Sequence, residues 1–193
     1  SVVITSTGVG TIVPTIPVST SAYGAMVANY ASVVGNGNGL TVDDSDNIYA
    51  VSNSGEVNKI TPAGVSTVIA NTGLNPSRVI TDAAGNLYVT NAGSDTVSKI
   101  TPAGVVTLYA NVGDVPNDLV FDSAGNLYVT NDTGNSVSKI PPGGGSSSVF
   151  ATGVGAAKGI VIDTSGNLFV ADAIGNQIFK ITPAGVVSTF ATF

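Results

Sequence analysis

The 193-residue chain contains no cysteine, no histidine and no tryptophan. Without cysteine there is no disulfide framework, no thiol nucleophile and no thiolate metal site. Without histidine the commonest general base and the commonest metal ligand are both missing. Cations are scarce. Lys59, Arg78, Lys99, Lys139, Lys158 and Lys180 are the whole supply against 12 acidic residues, for a net charge of −6. No basic stripe can form, so nucleic acid is not an expected partner. Hydrophobic residues make up 43% of the chain. No run approaches the roughly 20 apolar residues of a membrane-spanning helix, so no membrane span is expected. Charged residues are only 9%, which leaves the polar surface to Ser, Thr, Asn and Gly. No charged and apolar leader pattern opens the sequence. The composition reads as the mature form of an extracellular or cell-surface protein.

What is present is repetition. The stretch "DAAGNLYVTN" at 82–91 returns almost unchanged as "DSAGNLYVTN" at 122–131. Aligning on Asn47, Asn86, Asn126 and Asn167 gives spacings of 39, 40 and 41 residues. The same register superposes Lys59, Lys99, Lys139 and Lys180, then Pro62, Pro102, Pro142 and Pro183. Four tandem units therefore occupy 38–73, 74–113, 114–155 and 156–193. Each reads as four short strands, exemplified in the third unit by "DLVFD", "NLYVTN", "SVSKI" and "SSVFAT". No segment holds a helical period over three turns. Four strands in about 40 residues is the size of a propeller blade, so the expected fold class is an all-β propeller.

The turn residues explain the repetition. An Asp can open a tight turn by accepting backbone N–H groups, and a Gly can supply positive φ. Asp82, Gly85, Asp122, Gly125, Asp163 and Gly166 fit these structural roles, as does Asp43. In the first unit Asp46 replaces the Gly, and Asp tolerates the left-handed region better than most residues. "T-P-A-G" turns the chain between the third and fourth strands.

The pattern D-x-x-G-N-L-Y-V followed by V-x-K-I-x-P-x-G resembles the NHL repeat over about four-fifths of the chain. In blade pattern it is also similar to streptogramin-lyase-like and SMP-30-like propellers. The NHL resemblance implies a propeller of usually six blades, and it covers enzymes and binding proteins alike. Of the enzymes on such propellers, the streptogramin and amidating lyases rely on His. The gluconolactonase-like hydrolases hold a metal with Glu, Asn and Asp. This chain has no His, and its one Glu, Glu56, is expected in the loop after a second strand. The expectation drawn from this is no enzyme activity and no resident cofactor.

Residues 1–37 do not repeat. "TIVPTIPVST" places Ile12, Pro14, Ile16 and Val18 on one side, and its two prolines exclude a central strand. The segment is expected to be a degenerate fifth blade, an extended arm adding to a neighbouring subunit's edge, or part of a larger or permuted propeller. An assembly arm would favour self-association into an oligomer or filament. The leading expectation is accordingly a non-enzymatic, self-assembling extracellular scaffold.

Several side chains are candidates for chemistry. At the start of the first strand the units differ, with Asn38, Ser77, Asn117 and Lys158 followed by Gly39, Arg78, Asp118 and Gly159. Turn chemistry cannot explain residues that vary between blades. Arg78, Asn117, Asp118 and Lys158 would ring one mouth of the channel and suit a small polar or anionic ligand, or a protein partner. A solvated loop or an inter-blade ion pair is the plainer account of the same residues. Asp43, Asp44 and Asp46 form an oxygen-rich cluster that calcium could use, though the full calcium-loop spacing is absent. A metal-dependent hydrolase or lyase is a minor alternative. The recurring lysines are expected to lay their stems along apolar surface with the amines in water. Asn131-Asp132-Thr133 is a glycosylation acceptor pattern, expected in a loop.

Overall fold

The computed structural model describes residues 37–193. The assembly-arm residues Ile12, Pro14, Ile16 and Val18, and with them the three readings of the N-terminal segment, lie outside the described residues. Among those described there is no helix, and none is long and apolar enough to cross a membrane.

The chain is laid out as four successive antiparallel sheets, one per repeat. The first blade is β1 (Gly37–Val42), β2 (Ile48–Ser52), β3 (Glu56–Ile60) and β4 (Ser66–Asn71). The second is β5 (Pro76–Thr81), β6 (Leu87–Asn91), β7 (Thr96–Ile100) and β8 (Val106–Asn111). The third is β9 (Pro116–Phe121), β10 (Leu127–Asn131), β11 (Ser136–Ile140) and β13 (Ser148–Thr152). In the third blade's last turn the repeat's "TPAG" becomes "PPGGG". The longer loop carries a two-residue strand, β12 (Gly145–Ser146), that reaches back and pairs parallel with β8. The fourth blade is β14 (Ala157–Ile162), β15 (Leu168–Asp172), β16 (Gln177–Ile181) and β17 (Val187–Thr192). Glu56 thus opens β3, where the sequence pattern had suggested a loop.

Each second strand is apolar on both faces because it is covered from both sides. Leu87 and Val89 face the first blade and pack with Tyr49, Val51 and Val57. Tyr88, between them in sequence, faces the third blade with Val97 and Tyr109 and meets Leu119, Leu127 and Val129. The third interface repeats the scheme with Tyr128 and Val137 against Ile160, Leu168 and Val170. The core is therefore a series of inter-blade layers, one for each adjacent pair of described blades. Val161 and Phe190 hold the corresponding outward positions of the fourth blade and are 62% and 60% exposed.

The inner strands β1, β5, β9 and β14 contact one another in order. All four are irregular at the same place, with register shifts at Gly37/Gly39, Pro76/Arg78, Val129/Asn131 opposite β9, and Ala157/Ile160. A bulge bends the strand and re-aims its side chains. Here it falls on the residues that differ between blades. Gly39 is fixed by packing, since a Cβ there would lie 2.6 Å from the Arg78 Cα.

Candidate functional site

The meander gives each sheet two unlike ends. At one end lie the β1–β2 and β3–β4 turns and their equivalents. At the other lie the β2–β3 loops, the links between blades and the bulged starts of the inner strands. The first end is chemically uniform and the second is not.

At the uniform end each repeated Asp is a hydrogen-bond hub. Asp82 Oδ1 accepts from the Ala84 and Asn86 N–H groups at 3.0 and 2.9 Å, and Oδ2 accepts from Asn86 Nδ2 and the Tyr88 hydroxyl. Asp43 and Asp122 repeat this set, with Tyr49 and Tyr128 as the phenols. Asp163 keeps the Ser165 and Asn167 bonds, and Phe169 stands where the phenol would be. Burial pulls the Asp43, Asp82 and Asp122 carboxyls upward, but the bonds from the Asn, the backbone and the Tyr outweigh it and hold them below the ordinary aspartate range. Asp163 is lowered chiefly by its Asn167 bonds. Burial first, then the bond to Asp82, raises the Tyr88 phenol well above its usual value. The turn geometry is the expected one, with Gly85, Gly125 and Gly166 at φ 77–81° and Asp46 at 59°. These aspartates build turns.

For calcium, Asp43 already accepts four kinds of donor, and Asp44 and Asp46 are exposed. Among the described residues no three His, Cys, Asp or Glu side chains converge as a metal set. Glu56 Oε2 is buried without a hydrogen-bond partner, and Glu56 belongs to no such group of three. The recurring lysines do more than lie on apolar stems: Lys59, Lys99, Lys139 and Lys180 hold Nζ 5.4–5.8 Å from the ring centroids of Tyr49, Tyr88, Tyr128 and Phe169.

The sequence reading missed how the ends of "LYVTN" work. Thr90 is fully buried at the variable end. Its Oγ1 accepts from the Arg78 N–H at 3.0 Å and donates to the Asn117 carbonyl of the next blade at 3.1 Å. Thr130 does the same between the Asp118 N–H and the Lys158 carbonyl. Each threonine thus holds one bulge and ties it to the next. Asn91 accepts from the Gly73 N–H, which lies on the link from the preceding blade, and donates to Thr96 and Ser98. Asn131 is likewise fully buried in β10 and donates to Ser136 and Ser138. It is therefore not the loop acceptor for glycosylation that its pattern suggested. The signal was in plain view as identical "TN" pairs, but its partners lie about 27 residues away in sequence.

These clamps present the candidate residues. Arg78 Nε lies 3.3 Å from Asp118 Oδ1, joining the second and third blades. Asp118 Oδ2 accepts from the Ile160 N–H of the fourth blade at 3.1 Å. Lys158 pairs with Asp132, so the charged candidates fall into two inter-blade ion pairs rather than one open cluster. Arg78 and Lys158 keep 46% and 44% of their side-chain surface exposed. Asn117 joins Asn38, Asn53, Asn75 and Ser77 around an uncharged, amide-rich cavity of about 360 Å³. The backbone here is strained: Val115, a β-branched residue, sits at φ 56°. Its N–H donates to Asp95 Oδ1 at 2.8 Å and its carbonyl accepts from the Asp132 N–H.

Four-stranded blades packed face to face around contiguous inner strands define a β-propeller. Comparison with solved structures agrees. The fold superposes on virginiamycin B lyase from Staphylococcus aureus with a TM-score of 0.70 at 18% identity, covering 80% of this chain and 55% of that one. A streptogramin B lyase matches at 0.69 with 23% identity, over 79% and 53% of the two chains. A putative gluconolactonase matches at 0.66 with 19% identity, over 81% and 63%. The chain spans little more than half the length of these structures. No protein-family model and no curated protein matches the sequence.

These matches correct the leading expectation. Lack of activity was inferred from the missing His and the isolated Glu, and a self-assembling scaffold from the non-repeating arm, yet the three similar structures named above are two lyases and a putative gluconolactonase. Missing residue types do not by themselves exclude catalysis on a fold whose polar groups are supplied by several blades at once.

Proposed function

We propose that the chain is an enzyme-type propeller, of lyase or lactone-hydrolase character, that takes a small polar or anionic substrate at the variable end. One observation carries this reading. Bulges at one place in all four inner strands present non-repeated polar side chains at one end, beside the amide-rich cavity. The enzymes that share the fold support the catalytic part of the reading. Arg78 has the stated ion pair through Nε only, so its outer nitrogens are available to a carboxylate or carbonyl oxygen. Lys158 supplies a second positive charge, and Asn117 and Asn75 orient the ligand through amide hydrogen bonds. In this reading a carboxylate moves the proton, and Asp118 and Asp132 are the ones beside these cations. The blades themselves are of NHL type, on the strength of the two recurring motifs.

The test is turnover. Purified protein is incubated with glucono-δ-lactone, following acid release, and, for the lyase arm, with quinupristin, the compound held by a catalytically inactive virginiamycin B lyase of the same fold, following product by mass spectrometry. Turnover of either that falls by about tenfold or more in Arg78→Ala supports the reading, as expected for loss of a charge-assisted contact. No turnover of either, together with no change in melting temperature in their presence, counts against it.

A further inference from the structure

At the uniform end, the space between the second and third blades differs from its counterparts. It is a cavity of about 550 Å³ whose lining includes Tyr88, Tyr109, Phe121, Asp82 and Asp122. The equivalent spaces between the first and second blades, and between the third and fourth, have no aromatic lining. Sequence explains the difference. Phe121 stands where the other blades carry Val42, Thr81 and Ile162, whereas Tyr109 has an aliphatic counterpart in Ile69 but aromatic ones in Phe150 and Phe190, so Phe121 is the ring that sets this space apart. The glycine-rich loop also belongs to this place alone: the Tyr109 hydroxyl donates to the Pro141 carbonyl at 3.3 Å, and a Cβ on Gly144 would lie 2.5 Å from the Tyr109 carbonyl oxygen.

The rings are set as a corner. Tyr88 meets Tyr109 at 4.9 Å and 79° between planes, and Phe121 at 5.0 Å and 83°. Tyr88 and Tyr109 are buried and form the floor, while Phe121 is half-buried and forms a wall. Aromatic corners of this kind attract cations through the ring quadrupoles. The fold already places one cation so, with Lys99 Nζ 5.5 Å from the Tyr88 centroid.

The two carboxylates decide which cation fits. Asp82 and Asp122 each accept from two backbone N–H groups, an Asn amide and a Tyr hydroxyl. They keep their negative charge, but their hydrogen-bonding capacity is committed to the turns. A cation rich in N–H donors would find few acceptors here. One without N–H donors needs only charge and ring faces.

We propose that this cavity binds an alkylated ammonium ion of the quaternary type, between the Tyr88–Tyr109–Phe121 corner and the Asp82 and Asp122 carboxylates. The site lies at the opposite end from the substrate mouth and stands independently of that reading.

The test uses choline and its neutral isostere 3,3-dimethylbutan-1-ol in calorimetric titrations of the whole chain. Choline is expected to bind at one site, with the isostere about tenfold weaker because only the charge differs. Phe121→Val, which installs the first blade's residue, is expected to weaken choline by about fivefold or more. Aromatic NMR of the unaltered protein should show choline-induced shifts at Tyr88, Tyr109 and Phe121. Equal binding of the isostere, an unchanged affinity in Phe121→Val, shifts confined to other rings, or no choline binding at all would each overturn the proposal.

Discussion

Replacing Thr90 by Val tests the inter-blade clamp directly. The two side chains have nearly the same shape, so the buried position stays filled and the change reports on the hydroxyl. Thr90 is 0% exposed, and its Oγ1 serves the Arg78 N–H at 3.0 Å and the Asn117 carbonyl at 3.1 Å. The two partners sit at the bulges of β5 and β9, where the regular ladders are interrupted. Leaving a buried polar group unpaired costs about 1–3 kcal/mol. Two such groups, one of them partly solvated, put the loss at about 2–4 kcal/mol. For a chain of this size that lowers the melting temperature by roughly 5–15 °C. Urea denaturation and calorimetry would measure it, with the exposed Thr107→Val as a control expected to stay within about 0.5 kcal/mol. The fold carries its own comparison, since Val51 and Ala171 occupy the same position in the first and fourth blades. If Thr90→Val unfolds within 0.5 kcal/mol of the parent, the threonine clamp is not what ties the second blade to the third.

Two further predictions concern strain and titration. Val115→Asn places at φ 56° the residue type that the second blade uses at the equivalent Asn75, φ 53°. Relief of left-handed strain on a β-branched residue should stabilise by about 1 kcal/mol, read as a higher urea midpoint; a lower midpoint would contradict the strain. For pH, the turn aspartates have folded-state pKa values below their unfolded ones, so the folded state binds fewer protons in the acid range. Their stabilisation is complete above the unfolded aspartate range and is lost as pH falls through the lowered folded values. The raised Tyr49, Tyr88 and Tyr109 work in the opposite sense, and their contribution is lost as pH rises past the ordinary tyrosine value. A stability plateau between these limits is expected, and alkaline absorbance titration should show part of the tyrosine population ionising late. A melting temperature that rises on acidification below pH 4 would be inconsistent with the turn bonds.

Much of the architecture was legible in the sequence because it is local and repeated. The 40-residue register, the four strands per unit, the D-x-x-G-N turn and the tolerated Asp46 all follow from short-range rules on turn residues and β-formers. Repetition also separates scaffold from site in principle, since whatever every blade shares has to serve every blade. The limits of that logic show at Asn131 and Glu56, where local pattern suggested loops and the fold puts one residue at the buried end of β10 and the other at the start of β3. Burial depends on the neighbouring blade, which no local window contains.

The candidate residues at the mouth could be named from the sequence, but their relations could not. That Arg78 meets Asp118, that Lys158 meets Asp132, and that Asn117 joins the amides of the first two blades depends on how consecutive inner strands lie side by side. The two ion pairs join residues 40 and 26 positions apart, and Asn117 lies 42 to 79 positions from Asn75, Asn53 and Asn38. Non-enzymatic character was inferred from missing residue types, and the superposed folds of enzymes overturned it. The aromatic corner of Tyr88, Tyr109 and Phe121 was not suspected at all, because each ring alone reads as an ordinary strand residue. The sequence by itself determined that this chain is a repeat of four-stranded blades, since hydrophobic alternation and turn chemistry act within each unit. Only the tertiary structure decided which non-repeated side chains come to share a space, because that requires blade to be packed on blade.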